Sequence, residues 1–564
     1  MAIPNYPSVT ITEKDLLTRI ATGDNTSYGG IAINSTWGPC EEITLVTTEN
    51  DLVSYFAKPN SNTYVDFFTA SNFLTYSSAL KVVRVCDSTA KNAAQTTAVQ
   101  VKNSSEYDTA TLTSSGAFIA RYPGAKGNSL FIAACDSTAS LTGNVNPTSS
   151  IYGTWSSYFS ALPGTSPKAT SMGGSLDELH IVIIDANGAF TGNKGTLLEK
   201  YAYLSKAIDA KKEDGSANYY KEVINQLSQY IRTGDTYILN ANSIATLSNS
   251  FTTYGNVAMT LTGGIDISSS NTAMYVNAYD LFSDKKTVEV SHIMAGNIAN
   301  TSIQSLITLA ETRGDCIVYC SPNFASVQPG QTQSTIATNI NNIKTNGIGT
   351  SSSYYVMDGN WKYQYDKYND TNRWIPCNGD VAGLKAKAEK DNDSWWNGSG
   401  YNRGIIKNCI KLAWNPKDTY MGQIYQNSVN PIISDAGQFV LLGDKTGLTK
   451  PSAFDRINVR SLFNTLKKKI GDYLKYGMFE FNDEFTRAQL KAYVDTYLTS
   501  IKGRRGIEDF QVVCDLSNNT DIVRDNNQLV MDCYIKPTKS INYISLNMIA
   551  VGSTVQFSEV VGRV

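Results

Sequence analysis

The two histidines of this chain, His180 and His292, are its first candidates for acid–base chemistry or metal binding. Neither belongs to an H-E-x-x-H pattern, which would place two imidazoles on one face of a helix. The serine-hydrolase pattern G-x-S-x-G and the dinucleotide fingerprint G-x-G-x-x-G are also missing from the sequence. We therefore interpret each histidine as a packing or surface residue, and we predict no catalytic residue.

A glycine-flanked segment, Gly443-Asp444-Lys445-Thr446-Gly447, superficially resembles a phosphate-binding loop. Asp444 stands where a Walker A loop needs its second glycine, and its carboxylate would repel a phosphate group. We interpret this segment as a turn, and we predict no cofactor.

Four acidic residues lie in a region rich in tryptophan and tyrosine: Asp366, Asp370, Asp391 and Asp393. Paired carboxylates among aromatic rings are typical of a sugar-hydrolysing cleft. Solvated loop acids beside packed aromatic side chains are the simpler interpretation, which we favour. A carbohydrate-binding or glycosidase surface protein therefore remains open as an alternative function.

The nine cysteines are scattered and form no C-x-x-C pair. Cys316 and Cys320 flank a short apolar run, so in a strand both would face the same side. We interpret them as buried thiols. The acidic cluster between residues 521 and 527 lacks the order of a calcium-binding loop, and we predict no metal site.

Length and composition set wider limits on what this chain can be. With 564 residues it is too long for one core, and we expect three or four domains. The net charge of −2 leaves no basic excess for nucleic acid. The sequence shows no signal peptide and no apolar run long enough to cross a bilayer, so we expect a protein made in the cytoplasm without membrane insertion.

The order of helix-like and strand-like patterns along the chain predicts a discontinuous, mixed α+β and α/β multidomain fold. Strand-like and helix-like patterns alternate over 23–89 and again over 175–345, including a helix around 197–208, so we predict one α/β domain from these two parts. The Thr/Ser/Gly-rich sequence of residues 90–174 predicts an inserted β-rich domain. Residues 346–548 form the predicted C-terminal core domain.

The two ends of the chain carry alternating strands without an evident local partner. Residues 1–22 contain Val9, Thr10, Ile11 and Thr12, and residues 549–564 contain Val555, Gln556, Phe557 and Ser558. A lone alternating strand cannot bury its apolar side by itself, so we predict that both segments are extended arms that pair elsewhere.

The C-terminal core has the most regular pattern. Apolar residues from Val459 to Leu474 recur at helical spacing, and the neighbouring face carries Arg460, Lys467, Lys468 and Lys475. A second helix is predicted from an N-cap at Asn482 to Gly503. Strands are predicted at 511–514, 529–536 and 541–550.

This region also carries a family resemblance. The segments GDYLKYGMFEFNDEFTR (471–487), GRRGIEDFQVVCD (503–515), YIKP (534–537) and SINYI (540–544) resemble the sheath proteins of contractile phage tails, most of all the T-even type. Upstream segments are similar too: PSAFDRINVR (451–460), WKYQYD (361–366), WIP (374–376) and YVDFF (64–68). The resemblance covers nearly the whole chain and is weakest over 90–174 and 240–300.

The resemblance implies a structural protein rather than an enzyme. Subunits of this family form stacked six-fold rings around a tail tube, with a core facing the tube, variable domains outside, and terminal arms that add strands to neighbouring subunits. It implies assembly in the host cytoplasm, a place in the virion tail, and the chain itself, the tube protein, baseplate proteins and the tail terminator as partners. Contraction on a baseplate trigger would drive the tube through the host envelope.

Two points stay open at this stage. The basic face made by Arg460, Lys467, Lys468 and Lys475 is either a contact with the tube or a solvated helix face. A sheath of a tailocin or of a secretion system would share the same architecture, although such sheaths tend to be shorter.

Overall fold

The computed structural model describes residues 27–238, 245–267 and 272–542. The predicted arm strands Val9–Thr12 and Val555–Ser558 lie outside these residues. The chain divides into two compact units, the first ending at Lys468 and the second beginning at Lys469.

The described strands, in chain order, are β1 Gly29–Ile33, β2 Ile43–Val46, β3 Leu80–Arg84, β4 Phe118–Ala120, β5 Leu130–Cys135, β6 Asn144–Asn146, β7 Ser149–Thr154, β8 Glu178–Asp185, β9 Thr196–Ser205, β10 Ile231–Thr233, β11 Asn256–Thr260, β12 His292–Met294, β13 Ile317–Cys320, β14 Tyr355–Asp358, β15 Trp361–Asp366, β16 Thr371–Pro376, β17 Lys411–Leu412, β18 Val429–Asn430, β19 Ile432–Asp435, β20 Gln438–Leu441, β21 Ile507–Val513 and β22 Asp532–Pro537.

The described α-helices are α1 Glu49–Phe56, α2 Tyr64–Leu74, α3 Ser104–Tyr107, α4 Pro167–Ser171, α5 Tyr220–Leu227, α6 Thr272–Asp280, α7 Asn300–Arg313, α8 Phe324–Val327, α9 Gln333–Asn342, α10 Asn378–Asp391, α11 Asp418–Gln426, α12 Ile457–Leu474, α13 Glu484–Gly503 and α14 Asp521–Asp525. Together with the strands they confirm a mixed helix-and-sheet, multidomain architecture.

A seven-stranded sheet in the order β18-β14-β13-β12-β1-β3-β2 forms the centre of the first unit. All neighbouring pairs are parallel except β2 with β3. Strands such as β1 and β13 are buried along their whole length, as expected for a parallel sheet covered on both faces. One apolar core includes side chains of α6, α7 and α9, and the other includes side chains of α2 and α10.

A four-stranded antiparallel sheet, in the order β11-β5-β8-β9, lies in the segment between β3 and β12. Its two faces are covered by separate apolar clusters, one containing residues of α5 and the other containing Trp155 and Phe159. Lys91 and Ile265 exchange both backbone hydrogen bonds at 3.0 Å, and these two residues bracket the whole segment in sequence.

This sheet differs from two expectations drawn from the sequence. The helix predicted around 197–208 is wrong, because residues Thr196–Ser205 form strand β9 beside β8. Strand β8 pairs with β5 in antiparallel register, so the sheet crosses the domain boundary that the sequence predicted at 174/175. The long apolar run of β8 is typical of a strand in a parallel sheet. Here both faces of β8 are buried within an antiparallel sheet.

The second unit contains the end of α12, helix α13, the short helix α14 and the two-stranded sheet β21–β22. The predicted helix through Val459 and Leu474 is confirmed as α12. Helix α13 ends at Gly503 as predicted, but its N-cap is Asp483, whose side chain accepts a hydrogen bond from the Thr486 amide, and not Asn482. The strand pattern at 511–514 begins earlier, at Ile507, and the 529–536 pattern begins later, at Asp532. Residues 543–550 of the third predicted strand lie outside the described residues.

Candidate assembly surfaces

The two histidines are buried side chains with their hydrogen bonds satisfied, which confirms their interpretation as packing residues. His180 receives a hydrogen bond from the Tyr203 amide at 3.0 Å on Nδ1, and its Nε2 lies 3.1 Å from the Ala161 carbonyl oxygen. Its ring stacks on Phe159 with centroids 4.1 Å apart. Burial lowers the pKa of His180 and so favours the neutral ring.

His292 lies in a buried cluster that contains a serine and a carboxylate. Ser27 Oγ is 2.8 Å from His292 Nε2 and donates to Glu389 Oε2 at 2.5 Å, while Glu389 Oε2 is 3.1 Å from the same Nε2. In a catalytic triad the serine and the acid bind opposite nitrogens of the imidazole. Here both bind Nε2, and Nδ1 faces the Tyr319 hydroxyl. The cluster therefore lacks the geometry of a catalytic triad and is a buried hydrogen-bond network that stabilises the packing.

Glu389 is held in its charged form by this cluster. Burial opposes its ionisation, but the electrostatic influence of His292 and Lys385 outweighs burial and lowers the pKa of Glu389 to about 2. Lys385 Nζ lies 3.2 Å from Glu389 Oε1 and donates to the Ser394 and Trp396 carbonyl oxygens. The charges are therefore committed to contacts within the first unit.

The first residue of helix α10, Asn378, lies at the carboxyl ends of β12 and β13, on the edge of the parallel sheet where α/β proteins commonly bind ligands. The Asn378 amide donates to Ser321 Oγ at 3.0 Å, and Asn378 Nδ2 donates to the Gly296 carbonyl oxygen. A Cβ at Gly379 would lie 2.3 Å from the Thr69 carbonyl oxygen, so glycine is needed for this close approach.

The Gly443–Gly447 segment was interpreted as a turn, but it is irregular chain that forms an isolated antiparallel bridge between Lys445 and Arg456. Asp444 forms an ion pair with Arg456, and Lys445 Nζ donates to the Tyr425 carbonyl oxygen at 2.8 Å. A Cβ at Gly447 would overlap the ring of Tyr355. These side chains hold the segment in place instead of cradling an anion.

The four acids of the aromatic-rich region lie at two separate places in the fold. Asp366 and Asp370 lie at the hairpin between β15 and β16, where Asp366 accepts from the amides of Tyr368 and Asn369. Asp391 and Asp393 lie at and just after the end of α10. This placement favours structural carboxylates over a glycosidase pair.

The basic set predicted on helix α12 is divided by the structure. Arg460 is buried, with its guanidinium 4.3 Å from the ring centroid of Tyr354 and 4.2 Å from that of Phe454, so it is removed from the set of surface contacts. Lys467 and Lys468 are exposed. Lys467 Nζ donates to the Tyr354 hydroxyl at 2.8 Å, and Lys468 pairs with Glu289. Lys475 belongs to the second unit and pairs with Asp472 at 2.7 Å.

The second unit has a strongly exposed apolar loop that the sequence reasoning did not single out. The exposed fractions are 82% for Tyr476, 61% for Met478, 102% for Phe479, 85% for Phe481 and 76% for Phe485. Clusters of large exposed apolar side chains mark interaction surfaces. The signal available in the sequence was the MFEF run placed between two helices, where a solvated loop would be polar.

The two-stranded sheet β21–β22 is the other incomplete feature of this unit. Among the described residues each strand pairs only with the other, so both outer edges keep backbone groups available for a further strand. Alternate residues on β22 are exposed, including Tyr534 and Lys536. This sheet is a candidate acceptor for an added strand.

No helix of the described chain combines the length and the apolar character needed to cross a bilayer. Within the same residues, no group of three or more histidine, cysteine or acidic side chains is placed to hold a metal ion.

Comparison with known proteins finds similar proteins over most of the chain. Residues 286–447 match the phage tail sheath protein central domain, and residues 449–550 match the phage tail sheath C-terminal domain. The tail sheath protein of Vibrio phage KVP40 is 33% identical over 96% of this chain and 97% of its own. The tail sheath protein of Enterobacteria phage T4 is 41% identical over 54% of this chain and 48% of its own. The crystal structure of the sheath tail protein Lin1278 from Listeria innocua has the same fold, with a TM-score of 0.55 at 12% identity, covering 93% of this chain and 94% of that one.

Proposed function

This chain belongs to the family of contractile phage tail sheath proteins, and from that membership we propose that it polymerises as stacked six-membered rings around a tail tube and contracts on a baseplate trigger. The observation that carries the proposal is the similarity to a tail sheath protein over 96% of the chain. The family is structural, and the chain is a component of the virion tail. We further propose that it is assembled in the host cytoplasm and contacts the tube protein, baseplate proteins and the tail terminator.

The terminal arms supply the proposed links between subunits. The arm strands Val9–Thr12 and Val555–Ser558 alternate in polarity, and β21–β22 offers two edges on which such strands can add. A two-stranded sheet is marginal by itself and gains from further strands. Added strands bind mainly through backbone hydrogen bonds, which persist while the bodies that they connect rotate.

Contraction in this proposal needs no chemical step. The extended sheath is a metastable packing of subunits, and the contracted sheath is a second packing of lower free energy. The side chains of Asp444 and Lys445 are paired within the chain, and this supports a mechanism without a bound nucleotide.

Negative-stain electron microscopy of the purified full-length chain tests this function. We expect the chain to form striated tubes without a tail tube inside, because the contacts of the contracted state are the more stable ones. A chain that stays monomeric at high concentration, or that forms only amorphous aggregates, would contradict the proposal.

A further inference from the structure

Two cysteine side chains from different parts of the sequence meet in the first unit. Cys40 lies in the connection between β1 and β2, and Cys86 follows β3 by two residues. Both belong to one small buried cluster, with exposed fractions of 0% and 6%, and the Cys86 thiol lies 3.6 Å from the Asp87 carbonyl oxygen.

The backbone around this pair is held in register. Cys40 forms an isolated parallel bridge with Arg84, and its amide donates to the Lys102 carbonyl oxygen at 3.0 Å. The Glu41 amide donates to the Arg84 carbonyl oxygen at 3.1 Å. These backbone hydrogen bonds hold Cys40 beside the end of β3, two residues before Cys86, and so bring the two cysteines into one cluster.

The electrostatic environment favours a thiolate on Cys40. The Arg84 guanidinium is fully buried: its Nε donates to the Ser35 carbonyl oxygen and its Nη1 to the Gly38 carbonyl oxygen, both at 2.9 Å. Its Nη2 is buried without a hydrogen-bond partner. A buried cationic donor of this kind is stabilised by a nearby anion.

The pKa shifts of the two thiols agree with this arrangement. Burial by itself would raise the pKa of Cys40, but the neighbouring Cys86 thiol and the positive charges of Arg84 and Lys102 outweigh it and lower the pKa. The neighbouring Cys40, followed by burial, raises the pKa of Cys86. One thiol is thus prepared as the nucleophile and the other as its proton-bearing partner.

We propose that Cys40 and Cys86 form an intramolecular disulfide when the assembled protein meets an oxidising environment. With hydrogen peroxide as the oxidant, the Cys40 thiolate attacks one peroxide oxygen, giving a sulfenic acid and releasing hydroxide. The Cys86 sulfur then attacks the Cys40 sulfur, and its proton and the hydroxyl group leave as water. Overall, two thiols and one peroxide give one disulfide and two water molecules.

The position of the bond gives it a mechanical consequence. Cys86 lies just ahead of Lys91, one of the two residues that bracket the antiparallel sheet segment, while Cys40 belongs to the connection between two strands of the parallel sheet. The disulfide would hold that connection to the start of the inserted segment. This part of the inference rests on the proposed function, since a virion leaves the reducing cytoplasm in which disulfides are rare.

Peptide mapping of the full-length chain tests the pair directly. The chain is purified under reduction, treated with hydrogen peroxide while folded, alkylated in denaturant and digested with trypsin. Cys40 and Cys86 fall in different tryptic peptides, residues 20–81 and 85–91. The first peptide is not cut at Lys58 because a proline follows that residue. We expect the two peptides to appear joined, with a mass lower than their sum by two hydrogen atoms. Because Cys40 is fully buried, the reaction should be slow.

Variants separate this pair from the other thiols. Cys40→Ala and Cys86→Ala should each abolish the joined peptide, and in Cys86→Ala the Cys40 sulfenic acid should accumulate and react with dimedone. Cys135→Ala, which removes an equally buried cysteine elsewhere, should leave the joined peptide unchanged. Oxidation should raise the midpoint of thermal unfolding of the wild type but not of Cys86→Ala, and reductant should reverse the change.

Recovery of both peptides with free thiols after prolonged oxidation, or joined to other cysteines, would overturn the disulfide. Tube formation by the reduced wild type is scored in the same preparation. Tubes without a disulfide refute the thiol pair alone, whereas a disulfide without tubes refutes the proposed assembly function alone.

Discussion

Buried charged side chains in the first unit are satisfied locally, residue by residue. Lys362 has no exposed surface, and its ammonium donates to Asp380 Oδ1 and to the Lys407 carbonyl oxygen, both at 2.9 Å. Burial raises the pKa of Asp380 despite the opposing effect of Lys362. Such pairs are costly to break because removing one partner leaves the other charge buried. These buried charges therefore have a structural role, since each is paired with a neighbouring group inside the first unit.

Asp358 makes the stability of this body depend on pH. Burial raises its pKa to about 7, although Ser321 Oγ donates to it at 2.6 Å. The folded chain therefore keeps this proton between about pH 4 and 7, where the unfolded chain loses it, so stability from this group is present below pH 4 and decreases as pH rises to 7. Asp358→Asn should remove that decrease, a difference on the order of a few kcal/mol above pH 7.

Urea unfolding of wild type and Asp358→Asn at a series of pH values measures this difference. Asp214→Asn, at an exposed carboxylate whose pKa is lowered by the hydrogen bond from the Ser216 hydroxyl, is a control that should leave the slope between pH 5 and 7 unchanged. Parallel pH profiles of wild type and Asp358→Asn in that window would show that Asp358 is not the titrating group.

The remaining exposed lysines of helix α12 are proposed to contact the tail tube. Lys467→Glu together with Lys468→Glu should weaken decoration of purified tubes while the monomer stays folded, because exposed charge pairs contribute only about 0.2–1 kcal/mol each. Repeated over many subunits, such pairs add up. Co-assembly with tube and baseplate across a salt series is the measurement, and the loss should be largest at low salt.

A matched reversal elsewhere separates position from net charge. Lys211→Glu with Lys212→Glu changes the same total charge on exposed residues of the inserted segment. This control should decorate tubes as the wild type does. If both double variants decorate tubes equally well at low salt, Lys467 and Lys468 form only a solvated face.

At the scale of elements, the contrast is between completed and incomplete sheets. The parallel sheet is covered by helices on both faces, and helix α10 is packed so closely that Gly379 meets the backbone of Thr69. The sheet β21–β22 has neither cover nor further strands among the described residues. The incomplete sheet is where we propose that another chain adds its strands.

Removal of residues 1–20 tests this idea of strand exchange. We expect the shortened chain to stay folded, with a thermal unfolding midpoint near that of the full chain, and to lose ordered tube formation. Circular dichroism and negative-stain microscopy measure the two outcomes. A useful control replaces Val9 and Ile11 by serine, which keeps the arm but removes its apolar side. Tubes of normal order from the shortened chain would contradict exchange at this end.

At the scale of the whole molecule, the segment from 92 to 264 is continuous in sequence, and its two ends meet where Lys91 and Ile265 pair through backbone hydrogen bonds. Strands β5 and β8 pair inside it along six residues each. A cut at residue 174, where the sequence predicted the boundary, would therefore divide one sheet between two fragments.

Two excisions distinguish the boundaries. Replacing residues 92–264 by a short Gly/Ser bridge should leave the parallel sheet folded, with some loss of stability because Trp37 loses its contacts with Tyr122 and Phe190. Replacing residues 90–174 should give an aggregating chain, because it exposes the apolar faces of β8. Expression yield and thermal unfolding report both results. Equal folding of the two excised chains would show that the segment is not one unit.

The amino-acid sequence by itself was enough for several features of this protein. Helical spacing of apolar residues predicted α12. The apolar run between Cys316 and Cys320 predicted that both cysteines share one face, and both lie in the same apolar core. The whole-chain resemblance predicted the sheath family. These features depend on local periodicity or on the order of many motifs, and both can be recognised directly in the amino-acid sequence.

Other features were decided only by the tertiary structure. An eight-residue apolar run such as β8 has the same composition in a parallel or an antiparallel sheet, so its partner β5 could not be read from it. Arg460 and Lys467 share one helix face in sequence, but Arg460 is buried against the rings of Tyr354 and Phe454, whereas Lys467 stays exposed and reaches the Tyr354 hydroxyl. Cys40 and Cys86 become neighbours only because the backbone at Cys40 pairs with Arg84 at the end of β3. Burial and pairing depend on what other parts of the chain bring to a residue, and local spacing does not contain that information.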